Sequence, residues 1–84
     1  MDDLVSVVIP CRNDPRLVRA VTSATEQENS PREIIVVDDA SDPPIWGWLN
    51  GMKVIRFDQQ IGPAAARNAG VEAATGEWVA FLDA

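Results

Sequence analysis

Apolar residues fall in four short runs along the chain: Val5 to Ile9, Ile34 to Val37, Val54 to Phe57 and Trp78 to Leu82. Each has the length of a strand, and three are almost continuous in apolar residues, the pattern of parallel strands covered on both faces. Lys53 and Arg56 break into the third run, which predicts an edge strand. Between the first two runs Asp14 caps a predicted helix and Pro15 takes its first position. Leu17, Val21 and Ala24 then share one face at i, i+4 and i+7, and Asn29-Ser30-Pro31 ends the helix. Ser41-Asp42-Pro43-Pro44 reads as a turn, followed by a short helix from Ile45 to Asn50 that Gly51 stops. A further helix opens at Gly62-Pro63 and closes near Thr75-Gly76, with a largely alanine face that lets it lie close to a sheet. The alternation predicts βαβ units with right-handed crossovers, hence a Rossmann-like α/β fold: an open, mostly parallel sheet of about four strands with flanking helices. In such sheets ligands bind beyond the carboxyl ends of the strands, where neighbouring connections diverge to opposite faces.

Length and charge narrow the function. An 84-residue chain is one small domain or a piece of a larger one, and it buries a little over ~60% of its unfolded surface. Thirteen acidic against seven basic residues, a net charge of -6, argue against a nucleic-acid partner, which needs clustered Lys and Arg. Cys11 has no second cysteine to pair with and reads as a small buried hydrophobe. The amino end lacks the basic stretch and apolar run of a signal peptide, and no apolar run approaches the ~20 residues of a membrane span. The expected compartment is the cytoplasm, with membrane association of a longer parent chain left open.

The residues after each strand are acidic: Asp14 after Pro10-Cys11-Arg12-Asn13, then Asp38-Asp39, Asp58 and Asp83. Carboxylates gathered on one rim raise each other's pKa unless a cation, or hydroxyl and N–H donors, offset the repulsion. This predicts a divalent metal, Mg²⁺ or Mn²⁺, with sugar or ribose hydroxyls nearby. Asp14 is better explained as a cap and Asp58 as solvated, whereas Asp38 and Asp39 stand at the mouth of the sheet, where a structural role would favour a neutral turn residue. The amino end of the helix at Gly62-Pro63 approaches the same rim and can meet phosphate oxygens, with Arg67 one turn in. There is no G-x-G-x-x-G and no Walker lysine, which excludes dehydrogenase and P-loop readings on their own motifs.

Four segments in order carry a family resemblance: Val5-Ser6-Val7-Val8-Ile9-Pro10-Cys11-Arg12-Asn13, Glu33 to Asp42, Gly62 with Ala66-Arg67-Asn68-Ala69-Gly70, and Gly76 to Ala84. Together they resemble the amino-terminal half of a family 2 glycosyltransferase with the GT-A fold, and the match covers nearly the whole chain. The resemblance implies a site for a nucleoside-diphosphate sugar, a UDP-sugar in the commonest case. Asp39 would hold the base, Asp38 would support that loop, and Pro10 and Arg12 would line the nucleotide pocket. Arg67 and Asn68 would brace it, and Asp83 would be the first acid of the Asp-x-Asp motif and part of the metal site. The sequence departs from the family's usual aromatic at Arg12, glycine at Ala40 and asparagine at Gln60.

The resemblance also implies an inverting displacement in which a carboxylate base activates an acceptor hydroxyl and a metal stabilises the departing nucleoside diphosphate. Since the chain ends inside the Asp-x-Asp motif, residues 1–84 are expected to form an incomplete domain whose base lies beyond Ala84, inactive alone. The fourth strand would be left at a sheet edge, which predicts homo-oligomers. A competing reading is a two-component receiver domain, with Asp38 and Asp39 holding Mg²⁺ and Asp83 phosphorylated. It leaves the strand and helix from Val5 to Pro31 without a role and meets Asp42-Pro43-Pro44 where its first helix should start.

Overall fold

The computed structural model describes residues 4–26, 31–45 and 52–82. The predicted short helix from Ile45 to Asn50 falls largely on residues outside that set, as do Trp46, Trp48 and Asp83. The elements run β1 (Val5–Cys11), α1 (Leu17–Thr25), β2 (Glu33–Asp39), β3 (Lys53–Phe57), α2 (Pro63–Ala73) and β4 (Trp78–Phe81). All strand pairs are parallel, and the sheet order is β3-β2-β1-β4. The α/β expectation therefore holds, and β3 is an edge strand as its interrupting charges predict.

The period-two alternation of the strands sorts the core into two layers. Val7, Ile9 and Cys11 of β1 and Ile34 and Val36 of β2 join Leu17, Ala20 and Ala24 of α1 on one face. Val8, Ile35 and Val37 join Ala66 of α2 on the other. Val8, Ile9, Ile35, Val36 and Val37 are fully buried, each contributing roughly 1.5–3 kcal/mol by leaving water. The two faces differ in how closely the helix approaches. α2 turns Ala66 and Gly70 inward, and a Cβ at Gly70 would collide with the Val8 side chain, so glycine there lets the helix backbone rest on the strand.

Two strands continue past the carboxyl ends of their apolar runs. β1 continues through Pro10 and Cys11, paired with Val37 and Asp38, and β2 continues through both aspartates to pair with Arg56 and Phe57. Pro10 is tolerated because β4 pairs with β1 only as far as Val8, where Leu82 N–H donates to Val8 C=O (3.0 Å). Pro10 has the same orientation as Val8, so its missing N–H leaves no ladder bond unmade. The first helix begins later than predicted. Asp14 Oδ1 accepts the Arg16 backbone N–H (2.9 Å) across a turn, and the regular α-helix starts at Leu17.

At the amino-terminal rim, Glu33 ties three strands and a loop together. Its carboxylate accepts bonds from Ser6 Oγ (2.6 Å), Thr75 N–H (2.6 Å), Thr75 Oγ1 (2.9 Å) and Lys53 Nζ (3.0 Å), while Ser6 Oγ accepts Gly76 N–H (2.9 Å). These bonds close the amino-terminal rim, and the opposite rim carries the cleft.

Candidate functional site

β1 sends its chain to α1 on one face of the sheet and β4 receives its chain from α2 on the other, so the connections diverge beside the carboxyl end of β1. A cleft of about 480 Å³ opens there, walled by Pro10, Cys11, Arg12, Asp14 and Arg16 from the β1–α1 segment. Asp39 and Gln60, with Pro63, Ala66 and Arg67 of α2, complete it. Three of the chain's seven basic residues, Arg12, Arg16 and Arg67, stand around this one cleft in a protein of net charge -6. α2 also begins at its wall, which brings the positive end of that helix's dipole to the same place.

The two adjacent aspartates separate. Asp38 points to the α1 face and is fully buried, where it accepts Ser41 N–H (3.0 Å), Ile45 N–H (3.4 Å) and Arg56 Nη1 (2.7 Å). Burial pushes its carboxyl up, but the bonds from Ser41, Arg56 and Ile45 outweigh burial and hold it below its ordinary value. Asp39 points to the α2 face. Its Oδ1 accepts Ile61 N–H (2.7 Å) and its Oδ2 accepts Gly62 N–H (3.0 Å), which pins the β3–α2 loop against the carboxyl end of β2. Gly62 has φ +91°, a conformation that suits glycine, so the loop turns into α2 without strain.

These contacts show that Asp38, Asp39 and Asp14 are each answered by protein donors and do not stand as mutually repelling carboxylates. Asp38 is answered by a guanidinium and backbone N–H groups and does not line the cleft, and Asp39 is answered by two backbone N–H groups. Asp14 is held by Arg16 in a two-pronged pair, Nε to Oδ1 and Nη2 to Oδ2, each 3.1 Å. The Arg16 side chain and then its backbone N–H hold the Asp14 carboxyl below its ordinary value. Asp58 is exposed, as expected, and lies 3.4 Å from Arg56. Among the described residues no three His, Cys, Asp or Glu side chains form a group able to hold a metal ion, and Asp83 lies outside them.

Of the residues singled out from the sequence, Pro10, Arg12, Asp39 and Arg67 meet in the cleft, Asp38 turns away from it, and Asn68 is exposed on α2 outside it. Cys11, Asp14, Gln60, Pro63 and Ala66, to which the sequence assigned no role in the site, also wall it, together with Arg16, which no motif contains. An Asp and an Arg two residues apart at a helix entrance are an available signal for Asp14 and Arg16. Cys11 is buried, and burial, then the charges of Asp38, Asp14 and Asp39, push its thiol up to about 12. It is an un-ionised wall atom at neutral pH and not a nucleophile.

Comparison with known proteins fits this geometry. The family model described as glycosyl transferase family 2 matches residues 6–84. The chain is 40% identical over 86 residues to the succinoglycan biosynthesis protein ExoO of Rhizobium meliloti, covering 96% of this chain and 25% of that protein. It is 42% identical over 85 residues to the pre-mycofactocin glycosyltransferase of Mycobacterium tuberculosis, covering 94% and 17%. A third relative is the UDP-Glc:alpha-D-GlcNAc-diphosphoundecaprenol beta-1,3-glucosyltransferase WfaP of Escherichia coli, 36% identical over 87 residues, covering 96% and 35%. The chain thus spans about a third or less of the length of these relatives.

Proposed function

Because the chain belongs to glycosyl transferase family 2, we propose that its cleft receives the nucleoside diphosphate of an activated sugar, as the donor-binding part of a glycosyltransferase. The observation that carries this is the gathering of Arg12, Arg16 and Arg67 with the start of α2 around one cleft of an acidic chain. Guanidinium groups and a helix amino terminus favour an anion with several oxygens, and a diphosphate supplies that charge. Pro10, Ala66 and the apolar side of the wall offer contact to a base or ribose. Asp39 has lone pairs beyond the two that accept N–H groups, so it can also accept from a base N–H. A UDP-sugar is the preferred donor, in line with the UDP-Glc named for the E. coli relative.

The reaction in this reading is an inverting displacement at the anomeric carbon, with the acceptor hydroxyl deprotonated by a carboxylate. Neither cleft carboxylate suits that base. Asp14 is bound to Arg16 and Asp39 holds the β3–α2 loop. The 84 residues alone are therefore expected to bind nucleotide without transferring sugar. A divalent metal, Mg²⁺ or Mn²⁺, enters the reading only through Asp83. The receiver alternative is set aside, because Asp38 and Asp39 point to opposite faces of the sheet and cannot share one ion, and because the family match is to glycosyltransferases.

Titration calorimetry with UDP, UDP-glucose and uridine tests the proposal. UDP and UDP-glucose should bind, uridine should bind at least tenfold more weakly, and Arg12→Ala or Arg67→Ala should narrow that gap. Equal affinity for UDP and uridine, or no binding of either, would sink it. Self-association belongs to the same reading: β4 is an edge strand among the described residues, and Trp78 (65% exposed) and Phe81 (48%) stand open on it. A monomeric mass by light scattering would count against that part.

A further inference from the structure

Two loops that meet beside the cleft are clasped by side chains that do not line it. Asn13 N–H donates to Ser41 Oγ (2.9 Å), and Asn13 Oδ1 accepts Asp42 N–H (2.8 Å), so the segment after β1 and the segment after β2 hold each other by a reciprocal pair of bonds. The clasp is anchored on both sides. Ser41 is buried; its N–H is taken by Asp38 Oδ1, and its C=O accepts Arg56 Nη1 (2.9 Å), which also binds Asp38 Oδ2. Asn13 has φ +51°, the left-handed region that asparagine tolerates better than most residues, and Ala40 beside Ser41 has φ +63°. Both loops therefore bend sharply where they join. Asn13 lies between Arg12 and Asp14, which wall the cleft, and neither Asn13 nor Ser41 does so.

We infer that Asn13 is a positioning residue: clasped to Ser41 and Asp42, it fixes the backbone on which Arg12 stands and so sets the affinity of the cleft for a nucleoside diphosphate. This rests on the function proposed above and adds to it a residue that acts through Arg12, backed by a relay that starts at Arg56 on the edge strand. Without the clasp, the Arg12 backbone is free to move and the guanidinium must be ordered when the ligand arrives, which costs affinity. The bonds themselves are worth a modest amount each, so the loss should be about tenfold.

The test is a double-mutant cycle read by UDP titration, with melting temperatures alongside. Asn13→Gly keeps the left-handed backbone and deletes the side-chain half of the clasp; Arg12→Ala deletes the group it positions. Asn13→Gly is expected to weaken UDP binding about tenfold in the native background and about twofold or less in the Arg12→Ala background. Equal losses in both backgrounds, or no loss in the first, overturn the inference. Should Asn13→Gly not fold, Ser41→Ala breaks the same clasp from the other side and is read in the same cycle. If the native chain binds no UDP, the proposed function falls, and amide exchange still decides the clasp. An Asp42 amide protected in the native chain and exposed in Asn13→Gly upholds it; an Asp42 amide that exchanges alike in both overturns it.

Discussion

Asp38 and Asp39 are neighbours in the chain and lie on opposite faces of the sheet, Asp38 closed on Arg56 at 2.7 Å and Asp39 on the backbone N–H groups of Ile61 and Gly62. One carboxylate locks the α1 side of the carboxyl rim and the other locks the α2 side. Asp39 holds the loop that leads into the cleft wall at Pro63, whereas the loop Asp38 holds does not line the cleft and bears on it only through its bonds to Asn13.

Truncating the two should separate stability from binding. Asp38→Ala leaves the N–H groups of Ser41 and Ile45 and the Arg56 guanidinium without their acceptor in a buried place, and should cost about 2–4 kcal/mol in urea unfolding. Asp39→Ala releases two N–H groups at the more open Ile61 and Gly62, and should cost about 1–2 kcal/mol while weakening UDP binding further than Asp38→Ala does. Equal effects of the two changes on both measurements would contradict the division of labour.

The pH response should come from the opposite rim. Burial pushes the Glu33 carboxyl up, but bonds from Ser6, Thr75 and Lys53 outweigh it and hold it at about 2, below the ordinary 4.5. A carboxylate whose folded pKa is depressed contributes stability that is complete above its unfolded pKa and is lost as pH falls through the folded one. Glu33 should therefore stabilise the fold fully above about pH 5 and lose that contribution between about pH 5 and 2. Asp38, also depressed, acts in the same direction. Urea midpoints of the native chain and Glu33→Gln, compared from pH 7 to pH 3, should converge as the pH falls; a constant difference would refute the assignment.

The layout of the sheet was legible because its signals are local. Continuous apolar runs marked β1, β2 and β4, and Lys53 and Arg56 marked β3 as the edge. What the apolar pattern missed is where β2 ends. Apolarity stops at Val37, while pairing continues to Asp39, and once the strand is extended by two residues its alternation alone sends the two aspartates to opposite faces. The partner that makes a buried Asp38 tolerable, Arg56, is 18 residues away on another strand, and no local pattern reports it. Asp39 and Arg67 were marked by their places after β2 and in the first turn of α2, and Pro10 and Arg12 through the family resemblance, whereas Arg16 and Gln60 enter the cleft by tertiary approach.

Ala40 departs from the glycine usual in the family, and its φ of +63° explains that usage. An alanine Cβ in the left-handed region costs about 1–2 kcal/mol, part of which glycine gives back by its greater freedom in the unfolded chain. Ala40→Gly should therefore raise stability by about 0.5–1 kcal/mol, seen as a higher urea midpoint at unchanged slope. A lower midpoint would mean that the methyl group packs to more effect than the backbone conformation costs.

Gly70 should be the least replaceable position of α2. The helix rests there on β1, and an added Cβ would meet both methyl groups of Val8, which is fully buried and has no room to retreat. Helix propensity alone favours alanine over glycine by about 1 kcal/mol, so propensity and packing make opposite predictions. Packing should win: overfilling a close-packed layer forces backbone or rotamer shifts of about 1–3 kcal/mol, and α2 cannot lift from Val8 without moving Ala66 and Arg67 at the cleft. Gly70→Ala is expected to lower stability and weaken UDP binding together, while Gly70→Ala combined with Val8→Ala should recover part of both by returning the volume. A stabilised Gly70→Ala single variant would show that α2 does not bear on the sheet as closely as the geometry requires.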